Sequence, residues 1–244
     1  MIVIEKVIKE HKDNKGEVRL VTERLVQNNQ VTIVGKVVED IQFSHRVYGE
    51  GFYTFMVDVP RLSEISDTLP VTISERLLAD KKTLLNEIVE IKGQFRSYNQ
   101  YDQGKNRLIL TIFTLDIEFI ENREEIKYEN QIFLDGFICK EPIYRTTPFG
   151  REITDMLLAV NRSYHKSDYI PCIAWGRNAK YAQYLKVGDH LRIWGRIQSR
   201  NYQKKLDNGE LITKVAYEVS ISKMEVVDED DNNQDEMTSD INYS

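Results

Sequence analysis

A chain of 244 residues that is 41% hydrophobic and 30% charged can bury a core and does not have the composition of a disordered polymer. No apolar run approaches the roughly eighteen residues of a membrane span, and the opening MIVIEKVIKEHKD gains charge too early for a secretory signal, so a cytoplasmic protein with no membrane partner is expected. The net charge of −6 argues against a polyanionic ligand only until its distribution is read, because seven of the acids lie in the last seventeen residues.

In chain order, residues 1–28 form an extension in which IVIEKVIKEH and EVRLVTERLV flank KDNKG. That pattern suits a hairpin, yet Val7, Ile8, Leu20 and Leu25 also tolerate short helices, and both readings stay open. Residues 29–121 and 130–227 read as two copies of one unit, joined by the charged linker NREEIKYE at 122–129. NNQVTIVGKV at residue 28 returns as ENQIFLDGFI at residue 129, an offset of 101. The same offset places Val59, Arg61, Ser66, Asp67 and Pro70 on Val160, Arg162, Ser167, Asp168 and Pro171. One inserted residue later, Gly93 and Ser97 fall on Gly195 and Ser199.

Each copy reads as strands with one short helix. In the second, strands are expected at Gln131–Ile138, Ile153–Val160, Tyr169–Trp175, His190–Ser199 and Ile212–Ile221. A helix is expected in RNAKYAQYLKVGD, with Ala179, Ala182 and Leu185 on its inner face and Gly188 ending it. The first copy offers Leu77, Leu78, Leu84 and Leu85 for its helix, with Ser74 as cap. Pro142, Pro148, Gly150 and Gly209 are expected between strands. Five strands with a helix between the third and fourth is the order of the oligonucleotide-binding barrel, so the expected fold is all-β, two tandem OB-fold five-stranded barrels. Residues 228–244, DEDDNNQDEMTSDINYS, are acidic and polar and are expected to be disordered.

Within the second copy, GFICKEPIYRTTPFGREITDMLLAVNRS and DYIPCIAWGRNAKYAQYLKVGDHLRIWGRIQSRNY resemble the bacterial single-stranded DNA-binding protein (SSB) family. The resemblance covers that copy almost end to end. The first copy keeps the N-x-V-x-x-x-G opening, V-x-x-P-R, L-P-V and GQFRSYN, and is similar but degraded. The resemblance implies stacking aromatics at Tyr164, Tyr169, Trp175 and Tyr202. With local charge, it implies phosphate partners at Arg145, Arg151, Arg162, Arg177, Arg196, Arg200 and Lys204. It also implies four barrels per assembly, hence a homodimer of this two-barrel chain. The tip Asp240, Ile241, Tyr243 resembles the family's docking peptide for replication and repair proteins, but has Tyr at the terminal aromatic and an added Ser244.

Elementary chemistry reaches the same ligand class. A single strand exposes the faces of its bases, so a binder indifferent to sequence needs flat rings with cations along the phosphates. Without its acidic tail the chain has 33 basic against 32 acidic residues; residues 130–227 carry +5, and 29–121 carry −4. Trp194 is expected in the core, and Tyr181 and Tyr184 in helix packing. In the first copy Ser63 or its neighbours, Thr68, and Ser74 or Ile73 stand where the rings would be, so that copy is expected to serve assembly or partner binding. Phe95, Tyr98 and Tyr101, beside Arg96 and Arg107, offer it one stacking contact.

No catalytic constellation is present. His11, His45, His165 and His190 have no partner at a meaningful spacing, and there is no phosphate-cradling glycine loop or nucleophile elbow. Cys139 and Cys172 have no metal-ligand spacing and are expected as reduced thiols. No enzyme activity, cofactor or metal is therefore expected. The leading reading is a nonenzymatic coater of single-stranded DNA, nucleoid-associated and serving replication, recombination or repair. Its rival is a primosome-type or adaptor barrel that acts mainly through protein partners, and RNA binding by the same barrel also stays open.

Overall fold

The computed structural model describes residues 7–12, 18–23, 28–63, 65–78, 81–102, 105–122, 126–163, 166–205 and 209–227, with backbone alone at 7–12, 18–23, 102, 105 and 106. The acidic tail, including Asp240, Ile241 and Tyr243, lies outside the described residues, as do Tyr164 and His165.

In the extension, β1 (Val7–Lys12) and β2 (Val18–Glu23) pair antiparallel, so the hairpin reading of these residues holds over the helical one. The first barrel comprises β3 (Asn29–Val47), β4 (Glu50–Pro60), β5 (Ser66–Ser74), β6 (Ile88–Asp102) and β7 (Lys105–Phe119). The second comprises β8 (Asn130–Thr146), β9 (Glu152–Arg162), β10 (Lys166–Trp175), β11 (His190–Lys205) and β12 (Leu211–Val226). Each set closes on itself: β3 pairs with both β4 and β6, and β8 with both β9 and β11. A short parallel contact completes each circuit, β5 with β7 and β10 with β12.

Alternation sets the interior. Ile33, Val57, Leu69, Ile91 and Ile112 point inward in the first barrel, and Leu134, Leu158, Ile170, Ile193 and Val219 in the second. All belong to one hydrophobic cluster, and each such buried side chain contributes about 1.5–3 kcal/mol relative to exposure. Strands run past the barrel walls, so β8 and β11 are much longer than the apolar segments alone suggest. Pro142, expected between strands, lies inside β8, where the register shifts between Lys140 and Ile143; a bulge tolerates its missing N–H.

The repeated glycine of the fourth strand has a local reason. The register slips at Lys92/Gly93 and again at Trp194/Gly195, and a methyl at either glycine would run into a backbone carbonyl, that of Phe113 or Ser220.

The helices differ between copies. In the second, α1 (Gly176–Ala182) buries Ala179 and Ala182, while Leu185 is buried just beyond it; Gly188 follows at φ 99°. The first copy has instead a single 3₁₀ turn at Glu75–Leu77. Ser74 caps it as expected, accepting from the Arg76 N–H at 3.2 Å. A longer helix fails because Asp40 takes the Leu84 N–H at 2.8 Å and the Thr83 hydroxyl at 2.6 Å, drawing that segment out of helical geometry. Tyr181 and Tyr184, expected to pack, are exposed instead, because the helix is short and turns only its alanines inward.

The barrels join edge to edge. β3 pairs antiparallel with β8, and Val31 faces Ile132, its own counterpart one repeat later, so an approximate twofold axis passes through that pair. Asn29 and Asn130, at the start of these two strands, each brace their own barrel in the same way, the side-chain amide bonding both backbone groups of Phe95 or Ile197 at 2.8–2.9 Å. Phe95 is fully buried, so it takes no part in stacking.

Candidate nucleic-acid interface

The outer face of β10 carries Tyr169, Pro171, Ile173 and Trp175, while Asp168, Ile170, Cys172 and Ala174 face inward. Tyr169 is 45% exposed and Trp175 half-buried, so both rings lie outside the barrel. Beside β10, β12 sets Ser220 next to Ile173, and the Trp175 indole N–H donates to the Ser220 hydroxyl at 3.2 Å. β11 follows, with Arg196 opposite Ser220, Gln198 opposite Glu218, Arg200 opposite Ala216 and Tyr202 opposite Lys214. Strand alternation gives Arg196, Gln198, Arg200 and Tyr202 one outward side.

Several of these residues line one cleft of about 560 Å³: Trp175, Arg151, Arg196 and Arg200, with Arg61 contributed by the first barrel. The structure therefore brings Trp175 and three of the expected cations together. It does not bring every expected residue there. Tyr169 is six positions back along β10, at the junction with the first barrel, and Tyr202 is 38% exposed farther out on the β11 arm. Arg177 lies in the first turn of α1, and Lys204 near the end of β11; both are exposed.

Charge on this face is largely compensated. Arg145 meets Asp155 at 2.6 Å, and Arg200 meets Glu218 at 3.2 Å. Arg196 reaches Asp67 of the first barrel at 3.0 Å, and desolvation lowers its pKa. Arg162 lies 3.4 Å from Asp168. Among the described residues, Arg151, Arg177 and Lys204 form no ion pair. Each compensated arginine must exchange a carboxylate for any phosphate, which weakens its net contribution.

Sequence reasoning missed two carboxylates that place this face. Asp67 and Asp168 are both fully buried, and each crosses the junction. Asp67 accepts from the Ser199 N–H at 2.7 Å, from Arg61 at 2.5 and 2.7 Å, and from Arg196. Asp168 accepts from the Ser97 N–H at 2.7 Å, while the Ser97 hydroxyl accepts from the Tyr169 N–H at 2.7 Å. Burial raises the Asp168 pKa, against the lowering effect of the Ser97 N–H and of Arg162 and Arg96. The signal was present, since both carboxylates and both serines repeat at matched positions, but repetition alone does not reveal that each reaches into the other copy.

Trp194 is not a core residue. Alternation with the buried Ile193 turns it outward, on the side of Arg192 and Arg196, where it is half-buried against Phe133 at 5.2 Å and under Lys223 at 4.5 Å. With Gln30, Thr32 and Arg196 it lines a second cleft of about 480 Å³. Cys139 and Cys172 are free thiols, Cys172 fully desolvated among apolar neighbours. Among the described residues no helix is long and apolar enough to cross a membrane, and no group of His, Cys, Asp and Glu is arranged to hold a metal.

Comparison with known proteins agrees with the second barrel's pattern. Residues 129–227 match the model of the single-strand binding protein family. The chain is 34% identical over 96 residues to single-stranded DNA-binding protein A of Bacillus subtilis (strain 168), covering 36% of this chain and 56% of that protein. It is 36% identical over 93 residues to single-stranded DNA-binding protein 1 of Staphylococcus aureus (strain COL), covering 35% and 56%. The chain thus spans just over half the length of these relatives. The wild-type single-stranded DNA binding protein from Thermus aquaticus superposes with a TM-score of 0.65 at 18% identity, over 82% of this chain and 93% of that one, a likeness of fold. The likeness to the single-strand binding protein family thus covers residues 129–227, the second barrel.

Proposed function

We propose that the chain binds single-stranded DNA without enzymatic activity and with little sequence preference, through the outer face of its second barrel. Trp175 carries this reading: its ring lies outside the barrel, tethered by Ser220, in one cleft with Arg151, Arg196 and Arg200. Bases stack on Trp175, Tyr169, Tyr164 and Tyr202, each contributing about 1–3 kcal/mol, and the arginines with Arg177 and Lys204 follow the phosphates. Trp175 and Tyr169 are about six residues apart on one extended strand, roughly 20 Å, so one strand of DNA spans both only by lying along β10.

Two barrels per chain, joined by β3 and β8, form half of a four-barrel homodimer in this reading, and the acidic tail recruits replication or repair proteins. The support is the family match, the internal twofold arrangement and the acidic sequence of residues 228–244.

Titration of wild type and Trp175→Ala with a long oligo(dT), beside duplex DNA of equal length, tests the reading. Expected are tight single-strand binding that weakens as salt rises, weak duplex binding, and a loss of about tenfold or more in the variant. Equal affinity for duplex and single strand overturns it, and no binding at micromolar strand favours an adaptor.

A further inference from the structure

The first barrel lacks the rings of the second at matched positions, with Thr68 for Tyr169 and Ser74 for Trp175. Its outer face is nevertheless aromatic. The rings stand on the strands either side of β5. On β4, Phe52 replaces Ile153; on β7, Phe113 replaces Ser220, as the shared parallel register shows. Their centroids are 5.9 Å apart, and His45 of β3 stacks on Phe52 at 5.2 Å and 12°. Over Phe113, at 3.8 Å, lies the guanidinium of Arg96, where the second barrel has Gln198. Both phenylalanines are half-buried and keep part of their surface open.

Arg96 differs from the arginines of the second barrel. It donates to the neutral Gln94 side chain at 2.8 and 3.1 Å and forms no ion pair among the described residues, although it feels the charge of Asp168. Arg162 of the second barrel is near enough to repel it. Two guanidinium groups, one from each barrel, thus approach each other beside Ser97, which receives the Tyr169 N–H. Tyr98, 48% exposed, follows Arg96 on the same side of β6. The buried Asp168 carboxylate, 3.4 Å from Arg162, attracts both, but it is one charge facing two guanidinium groups, so a further anion at the junction is favoured.

We infer that this face is a second stacking surface for single-stranded DNA, its rings transposed to the strands flanking β5, so that one strand passes from Tyr169 across the Arg162–Arg96 junction onto Phe113 and Phe52. Ring faces beside a cation that no carboxylate binds directly suit bases and phosphates, which need no defined sequence. An acidic peptide would use the cation but not the row of rings. The inference rests on the reading of the second barrel as a DNA binder.

The test uses the full chain with labelled oligo(dT) of about 8 and about 35 nucleotides, read by anisotropy, since one barrel of this type occupies about 4–16 nucleotides. Arg96→Gln and Phe113→Leu remove the cation and the ring while keeping much of their volume. Each is expected to weaken the long oligomer about fivefold or more and to leave the short one within twofold. Bromodeoxyuridine cross-linking of unaltered protein keeps the proposal falsifiable if a variant folds poorly. Adducts at Phe52, Tyr98 or Phe113 support it, and adducts confined to the second barrel overturn it, as does unchanged long-oligomer affinity in both variants. If wild type binds neither oligomer, the reading of the second barrel fails instead.

Discussion

Asp67 and Asp168 stand one repeat apart, both fully buried, both receiving a serine N–H from the opposite barrel, and yet their surroundings differ. Asp67 is enclosed by two arginines, Arg61 and Arg196, in direct hydrogen-bonded pairs. Asp168 has one oxygen without a hydrogen-bond partner and a more distant Arg162, and burial dominates its titration. A duplicated contact has diverged: one junction is closed by direct pairs from two arginines, the other has Arg162 at 3.4 Å from its carboxylate and Arg96 bound to the neutral Gln94 instead. Closure of a junction and availability of its arginines to a ligand oppose each other, because a guanidinium bound to a buried carboxylate must break that pair to reach a phosphate.

The largest expected stability effect comes from breaking the closed junction. Asp67→Ala leaves Arg61 and Arg196 uncompensated and the Ser199 N–H unpaired, and should cost about 3–5 kcal/mol in urea unfolding. The matched glycines should behave alike: Gly93→Ala and Gly195→Ala each force the same backbone apart and should cost about 1–3 kcal/mol. A large difference between them would show that the two bulges are not equivalent.

Asp168→Asn is expected to lie within about 1 kcal/mol of wild type at pH 7, since it removes a carboxylate whose ionisation folding disfavours. The sign follows from the raised pKa. Wild type holds its full contribution from Asp168 below the ordinary aspartate value near 3.8 and loses it as pH rises through the higher folded value. Stability of the variant relative to wild type should therefore increase with pH over that window; the opposite slope in acid unfolding curves would reject this description.

The smallest effect concerns salt. Lys204→Gln should lessen the slope of log affinity against log salt by about 0.7, as for loss of one phosphate contact on a single strand. Arg145→Gln, whose charge already meets Asp155, should change the slope less and stability by under about 1 kcal/mol.

Much of the molecule was legible in its sequence. Alternation and the offset of 101 fixed the strand count, the duplication and the inward parity, because a strand with one buried face must alternate and duplicated strands share the pattern. The shared outer parity of Tyr169 and Trp175 followed from the same rule. What failed were mostly residues near irregularities. Pro142 sits inside a register shift, and the first copy's helix loses its backbone donor to Asp40 across 44 positions, while Trp194 simply alternates with the buried Ile193, a parity that apolar neighbours on both sides hid.

Sequence by itself determined the two units, their β character and the residue types able to stack and to carry charge, since these depend on local period and composition. Only the tertiary structure decided which arginines are already neutralised, which carboxylates cross the twofold junction, and that Phe52, Phe113 and Arg96 form one face. These depend on contacts between strands far apart in the chain, and electrostatic pairing and ring stacking act over a few ångströms that no spacing along the sequence specifies.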